Sequence, residues 1–103
     1  MATRAEIEAL TRPETRISFA ESPGSHTFEV QDVPMLAEVA HQAGALLFLD
    51  NTWGIGVFQP FEHGVDVSIQ ALTKYPGGHS DVIIGSITVN DETHWKTLRD
   101  ASI

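Results

Sequence analysis

The chain has 103 residues, of which 42% are hydrophobic and 19% charged, proportions typical of one small globular domain. Its 14 acidic and 6 basic residues give a formal net charge of -8, which argues against a nucleic-acid partner because such binding depends on Lys and Arg contacts to phosphate. It contains no cysteine, which excludes a disulfide framework, a thiolate metal site and a cysteine nucleophile.

The N-terminal residues 1–10 carry a helix signal. Thr3 and Glu6 form a capping-box pattern, and Pro13 predicts the end of the helix that follows. Charged and apolar residues alternate over this segment without a continuous apolar run, so we expect neither a signal peptide nor a membrane partner. We therefore expect a cytoplasmic protein.

The next part of the chain predicts a strand, a helix and a second strand. The strands are expected at residues 16–21 and 45–49, and the helix between them begins after Asp32 and ends at Gly44. The buried face of this helix should contain Leu36, Val39 and Ala40. This order indicates an α/β fold with a mostly parallel sheet and covering helices.

A third strand is predicted over residues 66–70 and a fourth over residues 82–89. Because the glycine-rich connection 71–81 is too short for a helical crossover, the fourth strand should run antiparallel to its neighbour. Asn90 or Asp91 then caps a last helix, whose inward side chains should be Trp95, Leu98 and Ala101. Four strands are few for a sheet covered on both faces, so we expect a fragment of a larger protein.

The segment after the third predicted strand, ALTKYPGGHSD, places Lys74 in a loop of small residues. The only other lysine is Lys96. One interpretation of Lys74 is a solvated residue whose aliphatic stem covers apolar surface. The other is a partly desolvated amine, which favours the neutral form that reacts with an aldehyde to form a Schiff base.

Polar residues follow each of the first three predicted strands. Glu21, Asp50 and Lys74 therefore come to one edge of a parallel sheet, where ligands bind in α/β proteins. Asp50 taken alone is better explained as a turn cap, because Asp-Asn-Thr is good turn chemistry. A carboxylate and a lysine at one edge nevertheless suggest paired roles.

Two further hypotheses about the function require no organic cofactor. His79 and Asp81, with His63 or Asp50, could bind a metal ion in a metal-dependent α/β hydrolase, but their spacing matches no specific ligand pattern. We therefore predict no metal site. The other reading is a non-catalytic α/β piece with exposed sheet edges.

Four segments resemble, in order and in spacing, the pyridoxal-phosphate-dependent transsulfuration enzymes of Cys/Met metabolism. They are ESPGSHTFEVQD (21–32), FLDNTW (48–53), DVSIQALTKY (66–75) and GHSD (78–81). The resemblance covers nearly all of the chain from about Arg12 onward. It implies that residues 1–103 are the central, incomplete part of the large domain of a fold-type I pyridoxal-phosphate enzyme.

The resemblance also implies roles for individual residues. Lys74 is similar to the lysine that holds pyridoxal phosphate as a Schiff base and later removes the substrate Cα proton, and Asp50 to the partner of the pyridine nitrogen. Thr73 resembles a hydroxyl residue that helps to hold the cofactor phosphate. Thr52 is expected to orient Asp50 or the cofactor ring.

The implied reaction is β-elimination from a thioether amino acid such as cystathionine, which gives homocysteine, pyruvate and ammonia. Family members that catalyse γ-elimination or γ-replacement remain alternatives, because the residues that select the bond lie mainly outside this chain. The resemblance further implies a small-molecule amino-acid substrate and a homotetrameric parent enzyme.

Two departures from the family pattern limit the site. Many members carry serine at the position of Ala71, so one hydrogen bond to the phosphate is expected to be missing. The family's upstream phosphate loop, its ring-stacking tyrosine, the residues donated by a neighbouring subunit and the arginine for the substrate carboxylate have no counterparts here. We therefore expect the 103-residue chain alone to be inactive or nearly so.

Overall fold

The structure, a computed structural model, describes residues 1–102 and has an α/β fold built on a four-stranded sheet. The strands lie in the order β1 (Ile17–Glu21), β2 (Leu46–Asp50), β3 (Val67–Gln70) and β4 (Ser86–Val89). β1 is parallel to β2 and β2 to β3, whereas β4 is antiparallel to β3. The predicted fold class and the predicted reversal at β4 are both confirmed.

The helical elements of the described chain are α1 (Arg4–Leu10), α2 (Val33–Gln42), a short 3₁₀ turn (Pro60–His63) and α3 (Glu92–Ser102). α1 begins at the predicted capping box, in which Thr3 and Glu6 each accept a hydrogen bond from the other's backbone N–H. The bond from the Thr3 backbone is the main cause that holds the pKa of the Glu6 carboxyl below its ordinary value. Within residues 1–102, no helix combines the length and the apolar character needed to cross a membrane.

The core lies between α2 and β2. α2 begins at Asp32, whose side chain accepts a hydrogen bond from the Met35 N–H, and it ends just before Gly44, which has a φ of 73°. Leu47 and Leu49 of β2 are fully buried. The core cluster consists of Val33, Leu36, Ala37, Ala40, Ala45, Leu47, Leu49 and Val65. Burying each leucine side chain contributes about 1.5–3 kcal/mol, so the predicted buried face of α2 is the surface that holds the sheet.

The observed strand boundaries differ from the predicted ones, with β1 and β3 each beginning one residue later, at Ile17 and Val67. β2 is shifted one residue toward the C-terminus, because Asp50 itself pairs with both neighbouring strands. β4 is shorter than the predicted 82–89, since its first residue, Ser86, already faces Gln70, the last residue of β3. Residues 82–85 therefore have no strand opposite them.

The sheet face opposite α2 is apolar and largely uncovered within the described chain. Ile17 and Phe19 of β1 and Ile87 of β4 are 50%, 63% and 59% exposed. Their register places them on one face, because side chains alternate between the two faces of a sheet. Val67 of β3 lies on the same face but is only 1% exposed, so the uncovered area lies around Ile17, Phe19 and Ile87.

The prediction that α3 buries Trp95 and Ala101 is wrong. Both residues are exposed, and Leu98 is only half-buried. α3 packs mainly against β4, and the Arg99 guanidinium lies 4.7 Å from the centre of the Trp95 ring. The amphipathic pattern correctly identifies the apolar face of α3. Within the described chain, however, no other element covers enough of this face to bury it.

Asp66, just before the start of β3, links β2 to α2 through its side chain. Its Oδ2 accepts a hydrogen bond from the Leu47 N–H at 2.7 Å and lies 2.7 Å from Nε2 of His41 in α2. The Asp66 N–H in turn donates to the Leu47 carbonyl at 3.0 Å. One carboxylate therefore joins the end of α2 to the start of β2.

Asp91 caps α3, and its titration tests how far α3 depends on that cap. The carboxylate accepts hydrogen bonds from the Thr93 N–H at 2.7 Å and the His94 N–H at 3.3 Å. These bonds, that from Thr93 first, hold the pKa of Asp91 below its ordinary value. Because the folded-state pKa is lowered, the stabilisation is complete above the unfolded-state pKa and is lost as the pH falls through the folded-state pKa.

We expect the helical content of α3, read from backbone NMR chemical shifts, to decrease as the wild-type protein is acidified through this range. Asp91→Asn keeps a capping oxygen that does not titrate, so its α3 should change less over the same range. Superimposable pH profiles of the two proteins would contradict the assigned cap.

Candidate active site

The carboxyl ends of the parallel strands form the candidate site. The strand register places Glu21, Asp50 and Ile69 side by side at this edge. Thr73 and Lys74 lie in the loop that follows β3. The parallel topology thus brings the predicted carboxylate and the predicted lysine to neighbouring strand ends.

Glu21 is occupied within its own loop. Its Oε2 accepts a hydrogen bond from the Ser25 N–H and its Oε1 accepts one from the Ser25 hydroxyl, both at 2.8 Å. Both carboxylate oxygens therefore close the turn after β1. This leaves Asp50 as the carboxylate of this edge that keeps an oxygen available.

Asp50 is held by Thr52. Asp50 Oδ1 accepts hydrogen bonds from the Thr52 N–H at 3.0 Å and from the Thr52 hydroxyl at 2.6 Å. The Thr52 hydroxyl, on a residue that is 4% exposed, also accepts a hydrogen bond from the Ala71 N–H at 2.8 Å. Asp50 Oδ2 accepts no hydrogen bond within residues 1–102. Asp50 is thus a turn cap through one oxygen and remains free at the other.

Asn51 and Gly54, to which the sequence analysis assigned no role, shape the turn after β2. The Asn51 N–H donates to the Ile69 carbonyl at 2.8 Å, and the buried Asn51 side chain donates to the Phe58 carbonyl at 3.3 Å. A Cβ at Gly54 would come within 2.2 Å of Asn51 Oδ1, so a side chain there would displace the buried Asn51 amide. The signal for this pair was the glycine three residues after the asparagine, which is typical of a tight turn.

The loop that carries Lys74 is bonded mainly to itself. The Thr73 N–H and hydroxyl both donate to the Ile84 carbonyl, at 3.0 and 3.1 Å. The N–H groups of Gly77 and Gly78 donate to the carbonyls of Leu72 and Lys74 at 2.9 and 2.8 Å. A Cβ at Gly77 would lie 2.9 Å from the Thr73 carbonyl oxygen, so the loop closes only around a glycine.

The Lys74 side chain is exposed, which differs from the expected partial desolvation. The loop leaves the sheet before it reaches Lys74, and no element of the described chain covers it. Within residues 1–102 the Lys74 amine has no ion-pair or hydrogen-bond partner, whereas Lys96 pairs with Glu92 at 3.0 Å. Lys74 therefore remains chemically available.

Three aromatic rings connect the loops at this edge; we call Phe28, Trp53 and Tyr75 the aromatic line. The Phe28 and Trp53 ring centres are 5.2 Å apart with an interplanar angle of 82°. The Trp53 and Tyr75 ring centres are 6.4 Å apart with an angle of 67°. Both are edge-to-face contacts, a favoured geometry for aromatic pairs.

The histidines do not assemble a metal site. His63 stacks on Phe58, with ring centres 4.8 Å apart, and His79 Nδ1 bonds to the Gly77 carbonyl at 3.1 Å. In the part of the chain that the structure describes, no group of three or more His, Asp or Glu side chains is placed to hold a metal ion. The site proposed from His63, His79 and Asp81 is therefore not formed there.

Removing the Thr52 hydroxyl should weaken the fold as well as the site. Thr52→Val keeps the side-chain shape but leaves the Ala71 N–H and one Asp50 oxygen without that partner. We expect the free energy of unfolding, measured by urea denaturation, to fall by about 1–3 kcal/mol. Thr52→Ser keeps the hydroxyl and should lose less. Equal stability of the valine variant and the wild type would refute the bridge.

Comparison with known proteins identifies close relatives. Cystathionine beta-lyase of Bordetella avium is 48% identical over 96 residues, which are 92% of this chain and 24% of that protein. Cystathionine beta-lyase MetC of Escherichia coli K12 is 46% identical over 99 residues, or 93% of this chain and 25% of that protein. The chain thus spans about a quarter of the length of the curated relatives it matches.

The fold has a solved counterpart. The crystal structure of apo CalE6, a methionine gamma lyase from Micromonospora echinospora, superposes with a TM-score of 0.89 at 33% identity, covering 96% of this chain and 28% of that chain. A family model for the Cys/Met metabolism PLP-dependent enzymes matches residues 1–102. The resemblance seen in the sequence is therefore confirmed, and the chain belongs to the Cys/Met metabolism family of PLP-dependent enzymes.

Proposed function

We propose that the chain is the central part of the cofactor-binding large domain of a carbon–sulfur lyase. The parent enzyme cleaves cystathionine, or a related cysteine thioether, to homocysteine or another thiol, pyruvate and ammonia by β-elimination. The observation that carries the proposal is an oriented carboxylate, Asp50, at the sheet edge where Lys74 has no partner. The names of the two β-lyase relatives support the reaction.

The described residues fit the ring of pyridoxal phosphate better than its phosphate. Asp50 keeps one oxygen free for a protonated pyridine nitrogen, and Lys74 keeps its amine free for the aldehyde carbon. At the phosphate end, the Thr73 hydroxyl already donates to the Ile84 carbonyl at 3.1 Å, and Ala71 has no hydroxyl. When bound, the cofactor supplies an electron sink for the electrons left on the substrate Cα.

Asp50 and Thr52 act together in this proposal. With the cofactor bound, the free oxygen of Asp50 would hold the proton on the pyridine nitrogen. The two hydrogen bonds from Thr52 prevent the carboxylate from rotating away. Because Thr52 is 4% exposed, water does not compete for these bonds.

Lys74 is the base. Once the substrate amino group has taken the place of Lys74 on the cofactor, the freed Nζ would remove the proton from the substrate Cα. The Cβ–S bond would then break with its electron pair on sulfur as the Cα=Cβ bond forms. The sulfur takes up a proton and leaves as a thiol, while water converts the released aminoacrylate to pyruvate and ammonia. The Gly77 and Gly78 hydrogen bonds keep the backbone that carries Lys74 closed during these steps.

γ-Elimination is the second candidate, favoured by the structural similarity to a methionine gamma lyase. Applied to cystathionine, β-elimination releases pyruvate, whereas γ-elimination releases 2-oxobutyrate. Chromatography of the released keto acid distinguishes the two. A product consisting mainly of 2-oxobutyrate would replace the β-lyase assignment by a γ-lyase one.

The assembly and location of the parent enzyme are also proposals. We propose a cytoplasmic homotetramer with no nucleic-acid or membrane partner. The uncovered apolar face around Phe19 and Ile87 supports further packing in the complete protein. The net charge of -8 supports the absence of a nucleic-acid partner.

We expect the 103-residue chain by itself to bind pyridoxal phosphate weakly and to release no measurable pyruvate from cystathionine. The reason is that the phosphate loop, the ring-stacking tyrosine and the substrate arginine implied by the family resemblance have no counterparts in this chain, while Thr73 is already engaged and Ala71 offers no hydroxyl. Absorbance titration with the cofactor and a pyruvate assay measure both properties, with the product of the complete reading frame as the reference. Comparable turnover by the two would contradict the proposed incomplete domain.

The role of Lys74 is tested by covalent trapping. Borohydride reduction of the cofactor-loaded protein, followed by peptide mapping, should find the cofactor on Lys74. Lys74→Ala should lose this label and lower the elimination rate by about 10²–10⁴-fold or more. Lys96→Ala is the matched control, because Lys96 pairs with Glu92 on exposed α3, and it should change neither result. A label on any other residue would overturn the assignment.

A further inference from the structure

We propose that Trp53 is a positioning residue, which sets Lys74 relative to Asp50 through the ring of Tyr75. This inference rests on the proposed function, since it concerns the two residues assigned there to the cofactor. It assigns a role to the aromatic line, whose rings take no part in the chemistry described above.

The attachment of the Lys74 loop to the rest of the site is sparse. Within residues 1–102, one hydrogen bond joins this loop to the turn after β2, from the Ala71 N–H to the Thr52 hydroxyl at 2.8 Å. That bond lies at the base of the loop, before Lys74. Beyond it, the loop bonds to itself and, through Thr73, to Ile84. Hydrogen bonds alone therefore do not set the tip of the loop relative to Asp50.

Trp53 supplies a second attachment, at the tip. Tyr75 follows Lys74 directly, and its ring lies edge-on to the Trp53 ring, with centres 6.4 Å apart. Trp53 follows Asp50 by three residues in the same turn. A fixed contact between these two rings therefore fixes the separation of the carboxylate and the lysine backbone.

Phe28 is a second ring in contact with Trp53. Phe28 has a φ of 56°, a left-handed conformation that is unusual for a bulky residue, and its N–H donates to the Gly24 carbonyl at 3.0 Å. Such backbone strain persists only where the surroundings hold it, and it is concentrated at functional sites. In this loop it directs the Phe28 ring at Trp53, with ring centres 5.2 Å apart.

The three rings of the aromatic line are too exposed to contribute much to the packing of the core, which favours a positioning role for them. Phe28, Trp53 and Tyr75 are 60%, 39% and 54% exposed, so none of them belongs to the core between α2 and β2. Loss of one ring should therefore affect the loop more than the stability of the whole fold.

The test compares Trp53→Leu, Trp53→Phe and Tyr75→Leu in the protein made from the complete reading frame. The control is Trp95→Leu, because Trp95 is also an exposed tryptophan, 49% exposed, but lies on α3. For Trp53→Leu we expect kcat for thioether elimination to fall about two- to tenfold, the size of one aromatic pair. KM should change little, Trp53→Phe should recover most of the rate, and Trp95→Leu should behave as wild type.

A second readout needs no cofactor. The amide hydrogens of Gly77 and Gly78, which are bonded within the loop, should exchange faster in Trp53→Leu and Tyr75→Leu than in Trp95→Leu. The double variant Trp53→Leu/Tyr75→Leu should be no more impaired than Trp53→Leu alone, because the single tryptophan substitution already removes the contact with Tyr75. If Trp53→Leu does not fold, Tyr75→Leu tests this contact from its more exposed side.

Three results would overturn the inference: a kcat for Trp53→Leu equal to that of Trp95→Leu, unchanged exchange of the two glycine amides, or additive losses in the double variant. Failure to trap the cofactor on Lys74 of the wild type would instead overturn the proposed function. The exchange experiment, which is carried out on cofactor-free protein, still decides whether Trp53 holds the loop. The two failures are therefore distinguishable.

Discussion

The candidate site depends on the buried hydroxyl of Thr52. This group donates to Asp50 at 2.6 Å and accepts from the Ala71 N–H at 2.8 Å, so it joins the ends of two neighbouring parallel strands where their ladder stops. A hydroxyl can do both because it carries one donor hydrogen and two acceptor lone pairs. The orientation of the Asp50 carboxylate therefore depends on the pairing of β2 with β3. It depends as well on the core, which packs α2 against β2.

Local signals in the sequence predicted most of the fold. The capping box at Thr3 and the cap at Asp32 act within one turn of helix, so their neighbours in sequence suffice to recognise them. The exposure of Trp95 and of Lys74 could not be predicted in this way, because exposure depends on which distant surface covers a side chain. The bond between Thr52 and Ala71 likewise depends on strand register, which no local pattern contains.

Two aspartates lie at opposite ends of the parallel strands, Asp66 just before β3 and Asp50 at the end of β2, and they have different roles. Asp66 commits its Oδ2 to the Leu47 N–H and to His41, and so joins α2 to β2. Asp50 commits one oxygen to Thr52 and keeps the other free. Each aspartate thus uses one carboxylate oxygen and makes no hydrogen bond through the other within residues 1–102, so the difference between them is their position. Asp66 joins elements of the core, whereas Asp50 lies at the carboxyl ends of the parallel strands, where ligands bind in parallel α/β sheets.

The antiparallel direction of β4 has a consequence for the order in which the chain folds. Because β4 returns directly beside β3, the contact between Thr73 and Ile84 joins residues only 11 positions apart. The contact between the Leu47 N–H and the Asp66 carboxylate spans 19 positions and requires a crossover to be closed. Short loops close with a smaller loss of chain entropy, and contacts close in sequence form faster. The loop that carries Lys74 is therefore expected to assemble early, before Asp50 is brought alongside it.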